Sequence, residues 1–215
     1  MPESTAERPP AELGAGPAAA RRPGAGRRAR AGQWLRRYLR KMGGTTTTPP
    51  PRVSDSEVLW SWIGSFLGIS AVAWASLLAV DSAGDRLPLI GSLGASAVLV
   101  YGAPKSPLAQ PRNLVGGHLI SALAGVSCQQ LLGGIPWLAA PLAVASAIAL
   151  MQLTRTLHPP GGATALIAVA GSEEIHRLGF LYCLAPVGSG ALLLLLVALL
   201  VNNLPATRRY PELWR

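Results

Sequence analysis

Charge is scarce in this chain. Of its 215 residues, 13% are charged and 50% are hydrophobic, whereas roughly a quarter of an ordinary soluble domain is charged. Residues 58–80, 87–104, 113–154, 156–172 and 178–207 contain no Asp, Glu, Lys or Arg. About 20 apolar residues cross a bilayer as a helix, so these blocks describe an integral membrane protein whose first partner is lipid. Cysteine is nearly absent too. Cys128 and Cys183 both fall inside apolar blocks, which excludes a disulfide framework or a metal cluster and leaves two small apolar side chains. Carboxylates are missing from every block, so a cation pathway or a carboxylate proton relay has nothing to stand on. No nucleophile, metal set or cofactor motif occurs at a recognisable spacing, and an enzyme is not expected.

What charge there is lies at the ends. Residues 1–52 hold ten Arg and Lys41 against Glu3, Glu7 and Glu12, a net +8 of the chain's formal +9. The high pI therefore belongs to a tail and does not point to nucleic acid. This tail is rich in Pro, Ala, Gly and Arg and includes Thr45-Thr46-Thr47-Thr48-Pro49-Pro50-Pro51, a composition expected to be largely disordered. Within it, residues 33–42 carry Trp34, Leu35, Tyr38, Leu39 and Met42 at helical spacing among basic residues, which predicts a short amphipathic helix suited to an anionic membrane surface. The Arg-rich, Ala-rich start suits an organellar import signal, while its three glutamates count against one. Residues 208–215 form a second, basic tail.

Six segments are expected, near 58–80, 87–103, 113–132, 136–154, 156–171 and 178–201. With both termini on the inner side, the inner loops carry Lys105, Arg112 and Arg155, and the outer loops carry Asp81, Asp85, Arg86, Glu173, Glu174 and Arg177. That distribution obeys the positive-inside rule. It suits a bacterial inner membrane or an organellar envelope, the N- and C-termini lying on the cytoplasmic, stromal or matrix side. Segments two and five are short and Gly/Pro-interrupted. They also resemble one another, Gly94-Ala95-Ser96-Ala97-Val98-Leu99 against Gly162-Ala163-Thr164-Ala165-Leu166-Ile167, which suggests an inverted repeat of three plus three segments. Small-residue faces on segments four and five suit packing within one chain or between copies in a homo-oligomer.

The most unusual stretch is Leu157-His158-Pro159-Pro160-Gly161-Gly162-Ala163-Thr164. A residue before proline is pushed away from helical geometry, and proline favours a helix's first turn, so a helix is expected to start near Pro159 or Pro160 after an extended stretch. Such a start offers free amides and a positive dipole end to a small anion. In this reading Gly91, Gly94, Gly161 and Gly162 allow close approach, Ser96 and Thr164 donate hydroxyl bonds, His158 donates or gates, and Arg112 attracts the anion. His118 is a second, weaker candidate, and Gln129 and Gln130 suit either a polar path or bonds between helices. His176, in a polar loop, is expected to be solvated. The bland alternative is that His158-Pro159-Pro160 merely breaks the chain at a membrane surface.

Five ordered motifs carry a resemblance. Trp60-Ser61-Trp62-Ile63-Gly64-Ser65-Phe66-Leu67-Gly68, Gly91-Ser92-Leu93-Gly94-Ala95-Ser96, Ser106-Pro107-Leu108-Ala109-Gln110-Pro111-Arg112-Asn113, His158-Pro159-Pro160-Gly161-Gly162-Ala163-Thr164 and Arg209-Tyr210-Pro211 together resemble the HPP family of integral membrane proteins. The resemblance covers residues 34–215. It implies a multi-pass membrane domain, usually counted as four transmembrane helices, and it adds nitrite, since a plant member is associated with nitrite transport into chloroplasts. The expectation is thus an all-α membrane transporter or channel for a small anion such as nitrite. The alternative is a non-transporting scaffold or regulatory protein acting through its basic tail.

Overall fold

The computed structural model describes residues 25–43, 48–49, 51–80 and 83–214, with side chains from residue 33 onward except Ala79. Expectations for residues 1–24, for the Thr run at 45–47 and for Asp81 lie outside the described residues. Two units, 1–52 and 53–215, are taken separately. In the first, α1 (Ala25–Lys41) extends the expected short helix by two turns. Trp34 stacks on Tyr38 at 5.3 Å, and Trp34, Leu35, Tyr38, Leu39 and Met42 are exposed.

Among its described residues the second unit has helices and no strands. It comprises α2 (Asp55–Ala79), α3 (Ala83–Gly102), α4 (Pro111–Leu132), α5 (Pro136–Leu153), α6 (Gly161–Ala170), α7 (Glu173–Leu178) and α8 (Ser189–Val201). Ser54 caps α2 by accepting from the Glu57 amide, and Asp55 and Glu57 sit in its first turn, where they oppose the helix dipole. Pro111 and Pro136 open α4 and α5, where a missing amide costs nothing. Among the described residues, three helical stretches are long and apolar enough to cross a membrane: Asp55–Leu78, Pro136–Leu153 and Cys183–Val201. Only 17% of the apolar window of the first and 22% of the second is buried, against 50% of the third. The first two therefore turn Trp62, Phe66, Trp137 and Leu153 outward. Long α3 and α4 fall short on hydropathy, their buried faces carrying Asp85, Ser92 and Ser96, and His118 and Ser121, while Arg112 is exposed at the start of α4.

Two expected segments take a different form. The second does not start at Leu87 and is not interrupted: α3 runs unbroken from Ala83 through Pro88, 20 residues in all. Pro88 lies close enough to the start to cost little of the hydrogen-bond ladder. The sixth is broken instead, at Ala185, whose extended backbone (φ −136°, ψ 123°) precedes Pro186, as the steric restriction before proline requires. The α6 helix has 10 residues, about 15 Å, or half of a hydrocarbon core about 30 Å thick.

Small residues set the closest contacts. Gly64 and Gly68, one turn apart on α2, lie under the ring of Tyr101 from α3, and a Cβ at either would strike that ring. The Tyr101 hydroxyl donates to the Leu194 carbonyl of α8 at 3.1 Å. One end of the unit is closed by the C-terminal tail, where Arg208 reaches Glu57 of α2 and Tyr210 donates to the Ala109 carbonyl at 2.8 Å. Burial pushes the Tyr210 phenol above its ordinary range, so it remains a donor. At the other end, buried Asp85 of α3 accepts from the Ser172 amide at 2.9 Å and from the Ser172 hydroxyl. Removing these charge-assisted bonds with Asp85→Ala should cost about 2 kcal/mol, measured as earlier thermal unfolding in detergent.

Candidate functional site

His158 sits in the stretch 156–158, which is not helical, and Pro159 and Pro160 turn the chain into α6. Arg155 makes the reversal out of α5 possible by taking a left-handed backbone, φ 56°, which is unfavourable for a residue with a Cβ. The stretch lies against α4 because Gly116 and Gly117 present no side chain there: a Cβ on Gly116 would come within 2.8 Å of Thr156 Cγ2, and one on Gly117 would meet His158 Cβ. Gly161 is equally confined, since a Cβ there would stand 3.0 Å from Gly117 O and 3.2 Å from Met151 Sδ. Asn113 secures the stretch by donating to the Leu157 carbonyl at 2.8 Å.

Five polar side chains meet behind this turn, all buried: Ser92 and Ser96 from α3, His118 from α4, His158, and Thr164 from α6. The His158 and His118 rings lie 5.1 Å apart at 59°. Ser96 Oγ bridges them, 2.8 Å from His158 Nε2 and 2.7 Å from His118 Nε2. Thr164 Oγ1 lies 2.7 Å from His118 Nδ1 and 2.7 Å from Ser92 Oγ, and His158 Nδ1 lies 2.8 Å from the Leu108 carbonyl. Both rings bond only to hydroxyls and a carbonyl. A buried charge without a counterion is too costly to keep, so both rings are neutral.

The structure brings together His158, His118, Ser96 and Thr164 of the residues singled out from sequence. Gly161 lies beside them, but Gly162 does not pack closely, its nearest neighbour being Val144 Cγ1 at 3.8 Å from a Cβ position. Gly91 and Gly94 do not join the site. Both lie within α3 on its outer side, where a Cβ would meet nothing within 4 Å, so the second segment has no amide-rich start at that point. Nor are the first amides of α6 free, because Gly161, Gly162 and Ala163 donate to the carbonyls of His158, Pro159 and Pro160. Arg112 is also apart, donating to the Thr154 carbonyl at the end of α5 at 2.8 Å. With Pro107, Gln110, Asn113, Arg155 and Leu213 it lines a cleft of about 300 Å³. Pro107 there adjoins Leu108, whose carbonyl holds His158.

Sequence reasoning missed Ser92 and the Leu108 carbonyl. Ser92 was accessible, since a spacing of four puts it on the same helix face as Ser96; the carbonyl was not, because it comes from the short turn Pro107–Ala109. His176 is not simply solvated. It lies in α7, half-buried, 3.3 Å from Gln129 Nε2 and 3.2 Å from the Val169 carbonyl, so Gln129 makes a bond between helices. Among the described residues, no three His, Cys, Asp or Glu side chains gather as a metal set. Cys128 is buried, Cys183 partly so, and both are free thiols.

Outward-facing apolar helices around a buried polar chain define a helical integral membrane protein. The chain belongs to the HPP family, whose transmembrane region matches residues 50–211. Two transmembrane proteins of Dictyostelium discoideum are similar to it. One is 46% identical over 180 residues, 82% of this chain and 57% of the relative; the other is 45% identical over 185 residues, 84% of this chain and 64% of the relative. The chain thus spans about three fifths of the length of the curated relatives it matches. No solved structure matches it.

Proposed function

We propose that this protein is a membrane transporter or channel, and not an enzyme, for a small inorganic anion, with nitrite as the substrate. The observation that carries this reading is the buried His158–Ser96–His118–Thr164 chain, with one end next to a cleft containing Arg112 and Arg155. Polar side chains in the middle of a membrane protein are costly and mark pathways. The anion gathers at the two guanidinium groups and takes the Nδ1 proton of His158 as a hydrogen bond in place of the Leu108 carbonyl. Ser96 and Thr164, whose hydroxyls already hydrogen-bond the two imidazoles, stand behind His158. Selection of nitrite follows the family resemblance; the geometry supports only a small anion.

Six crossings with both ends inside remain the topology that the loop charges favour. The cleft of Arg112 and Arg155 then faces the cytoplasm, stroma or matrix, and the Asp85 end faces the opposite side. An inverted repeat gains support from the site itself. Ser96 and Thr164 occupy equivalent positions in the two similar motifs, and they bind opposite nitrogens of the same imidazole, His118.

The test is uptake of labelled nitrite into proteoliposomes. Wild type should exceed empty vesicles, and His158→Ala should lower the rate about tenfold or more, as expected for a lost hydrogen bond worth a kcal/mol or two. Wild-type uptake no greater than that of empty vesicles would end the nitrite reading. A scaffold working through its tail, suggested by the exposed apolar and basic face of α1, is separated by deleting residues 1–52. A transporter keeps its flux after that deletion.

A further inference from the structure

The hydrogen bonds of the buried chain have one direction, and it can be worked out atom by atom. The Leu108 carbonyl can only accept, so His158 Nδ1, 2.8 Å away, carries the proton. A neutral imidazole has one donor and one acceptor nitrogen. His158 Nε2 is therefore an acceptor, and the Ser96 hydroxyl donates to it. Having spent its one proton, Ser96 Oγ accepts from His118 Nε2. His118 Nδ1 then accepts from the Thr164 hydroxyl, and Thr164 Oγ1 accepts from Ser92. The alternatives, Ser96 to the Ser92 carbonyl and Ser92 to the Pro160 carbonyl, are both 3.4 Å long, beyond the usual range for hydroxyl bonds. The order is thus Ser92, Thr164, His118, Ser96, His158, Leu108, each donating to the next.

We propose that this ordered chain is a proton relay, and that it couples one proton to each anion carried. The coupling rests on the transport reading above. A proton reaching Ser92 Oγ from water displaces the Ser92 proton to Thr164. The Thr164 proton then moves to His118 Nδ1, the Nε2 proton of His118 to Ser96, and the Ser96 proton to His158 Nε2. The Nδ1 proton of His158 leaves at the far end to water accompanying the anion. One O–H or N–H bond breaks for each that forms, one proton enters, one leaves, and both rings end in the opposite neutral tautomer. At rest the relay is blocked, because its last member is a peptide carbonyl, which takes a hydrogen bond but not a proton. Conduction starts when the anion and its water replace Leu108.

The groups around the relay fit this role. α3 presents Ser92 and Ser96, α4 presents His118, α6 presents Thr164, and the Tyr182 hydroxyl donates to the Thr164 carbonyl at 3.0 Å. No hydrogen bond joins either ring to a carboxylate, lysine or arginine, so nothing fixes a charge on the chain. Asp85 is seven residues before Ser92 on α3, about 10 Å along the axis, beside a cleft of about 220 Å³ lined by Gly84, Pro88, Leu166 and Gly171. None of the relay's own side chains lines that cleft; in the six-crossing topology it marks the outer end, so a proton and an anion that cross inward together leave at the cleft of Arg112 and Arg155.

The experiment reads nitrite and protons separately in proteoliposomes of the full chain at pH 8, with pyranine inside, labelled nitrite outside and the potential clamped by potassium and valinomycin. Leak in empty vesicles is subtracted. Wild type should acidify the lumen by one proton per nitrite and be insensitive to the clamped potential. Ser96→Ala should lower the coupled flux about tenfold or more, with the remaining nitrite carrying charge, and Ser96→Thr should restore coupling. If Ser96→Ala does not fold, Thr164→Val cuts the adjacent link and is read the same way. Nitrite uptake that moves net charge without acidification overturns the relay and leaves anion transport standing; no uptake of nitrite overturns both. Nitrogen-15 NMR of histidine-labelled protein should find His118 protonated at Nε2 and His158 at Nδ1. The reverse pair of tautomers overturns the direction.

Discussion

Arg208→Met is expected to destabilise the protein by about 3 kcal/mol, the lower part of the range for breaking a buried ion pair. The Arg208 side chain is 2% exposed and lies 2.8 Å from Glu57 Oε2, while the Glu57 side chain keeps 29% exposure, so part of its charge regains water when the partner goes. The guanidinium does more than pair. It donates to the Glu57 carbonyl at 2.7 Å, the Ser61 hydroxyl at 2.8 Å, and the Tyr101 carbonyl and Asn202 Oδ1, both at 3.2 Å. One planar group thus ties the tail to α2, α3 and the end of α8, all of which lose a donor together. Arg208→Lys should recover less than half of the loss, since an ammonium cannot span this fork. Thermal unfolding in detergent measures both variants. A methionine variant as stable as wild type would show that the tail is not a structural clasp.

Gly125→Val should cost about 3 kcal/mol or more, above the usual range for an overfilled core. A Cβ at Gly125 of α4 would lie 2.5 Å from the Ala165 carbonyl oxygen, 2.9 Å from Ala165 Cα and 2.8 Å from Ala168 Cβ of α6. Two of those three atoms are backbone, so relief requires α4 and α6 to separate, which also pulls Thr164 from His118. Gly94→Ala is the contrasting change. Its Cβ meets open space on α3, and exchanging Gly for Ala inside a helix should stabilise by up to about 1 kcal/mol. Thermal unfolding ranks the two. Gly94→Ala also tests the sequence-level role of this glycine: loss of nitrite uptake in a stable protein would put the outer face of α3 back on the path.

These contrasts show how far local pattern reached. Gly94 and Ser96 are neighbours in one motif, yet two residues along a helix turn a side chain to nearly the opposite face, so one points outward and the other joins two imidazoles. His118 was the weaker histidine from sequence because nothing nearby marked it. In the folded chain it is the centre, held from both sides by hydroxyls from the two similar motifs. The expected anion cradle of free amides failed for a local reason: the turn at Pro159 and Pro160 uses the first amides of α6 on its own carbonyls. Arg112, placed by sequence at a pore mouth, spends a hydrogen bond on the end of α5 and still lines the cleft with Arg155.

By itself the sequence determined that this is a helical membrane protein, because continuous uncharged blocks of about 20 residues match a helix's crossing length, whereas barrel strands are half as long and alternate apolar with polar residues. It also determined where the chain must reverse, through Pro and Gly, and which polar side chains would be carried inside. Only the tertiary structure decided that α3 runs unbroken while the last span is broken at Ala185, and which polar groups meet. Those outcomes depend on the rotation of each helix about its own axis, and that rotation is set by contacts such as Gly117 on His158 and Gly125 on Ala165 between residues about 40 apart in sequence.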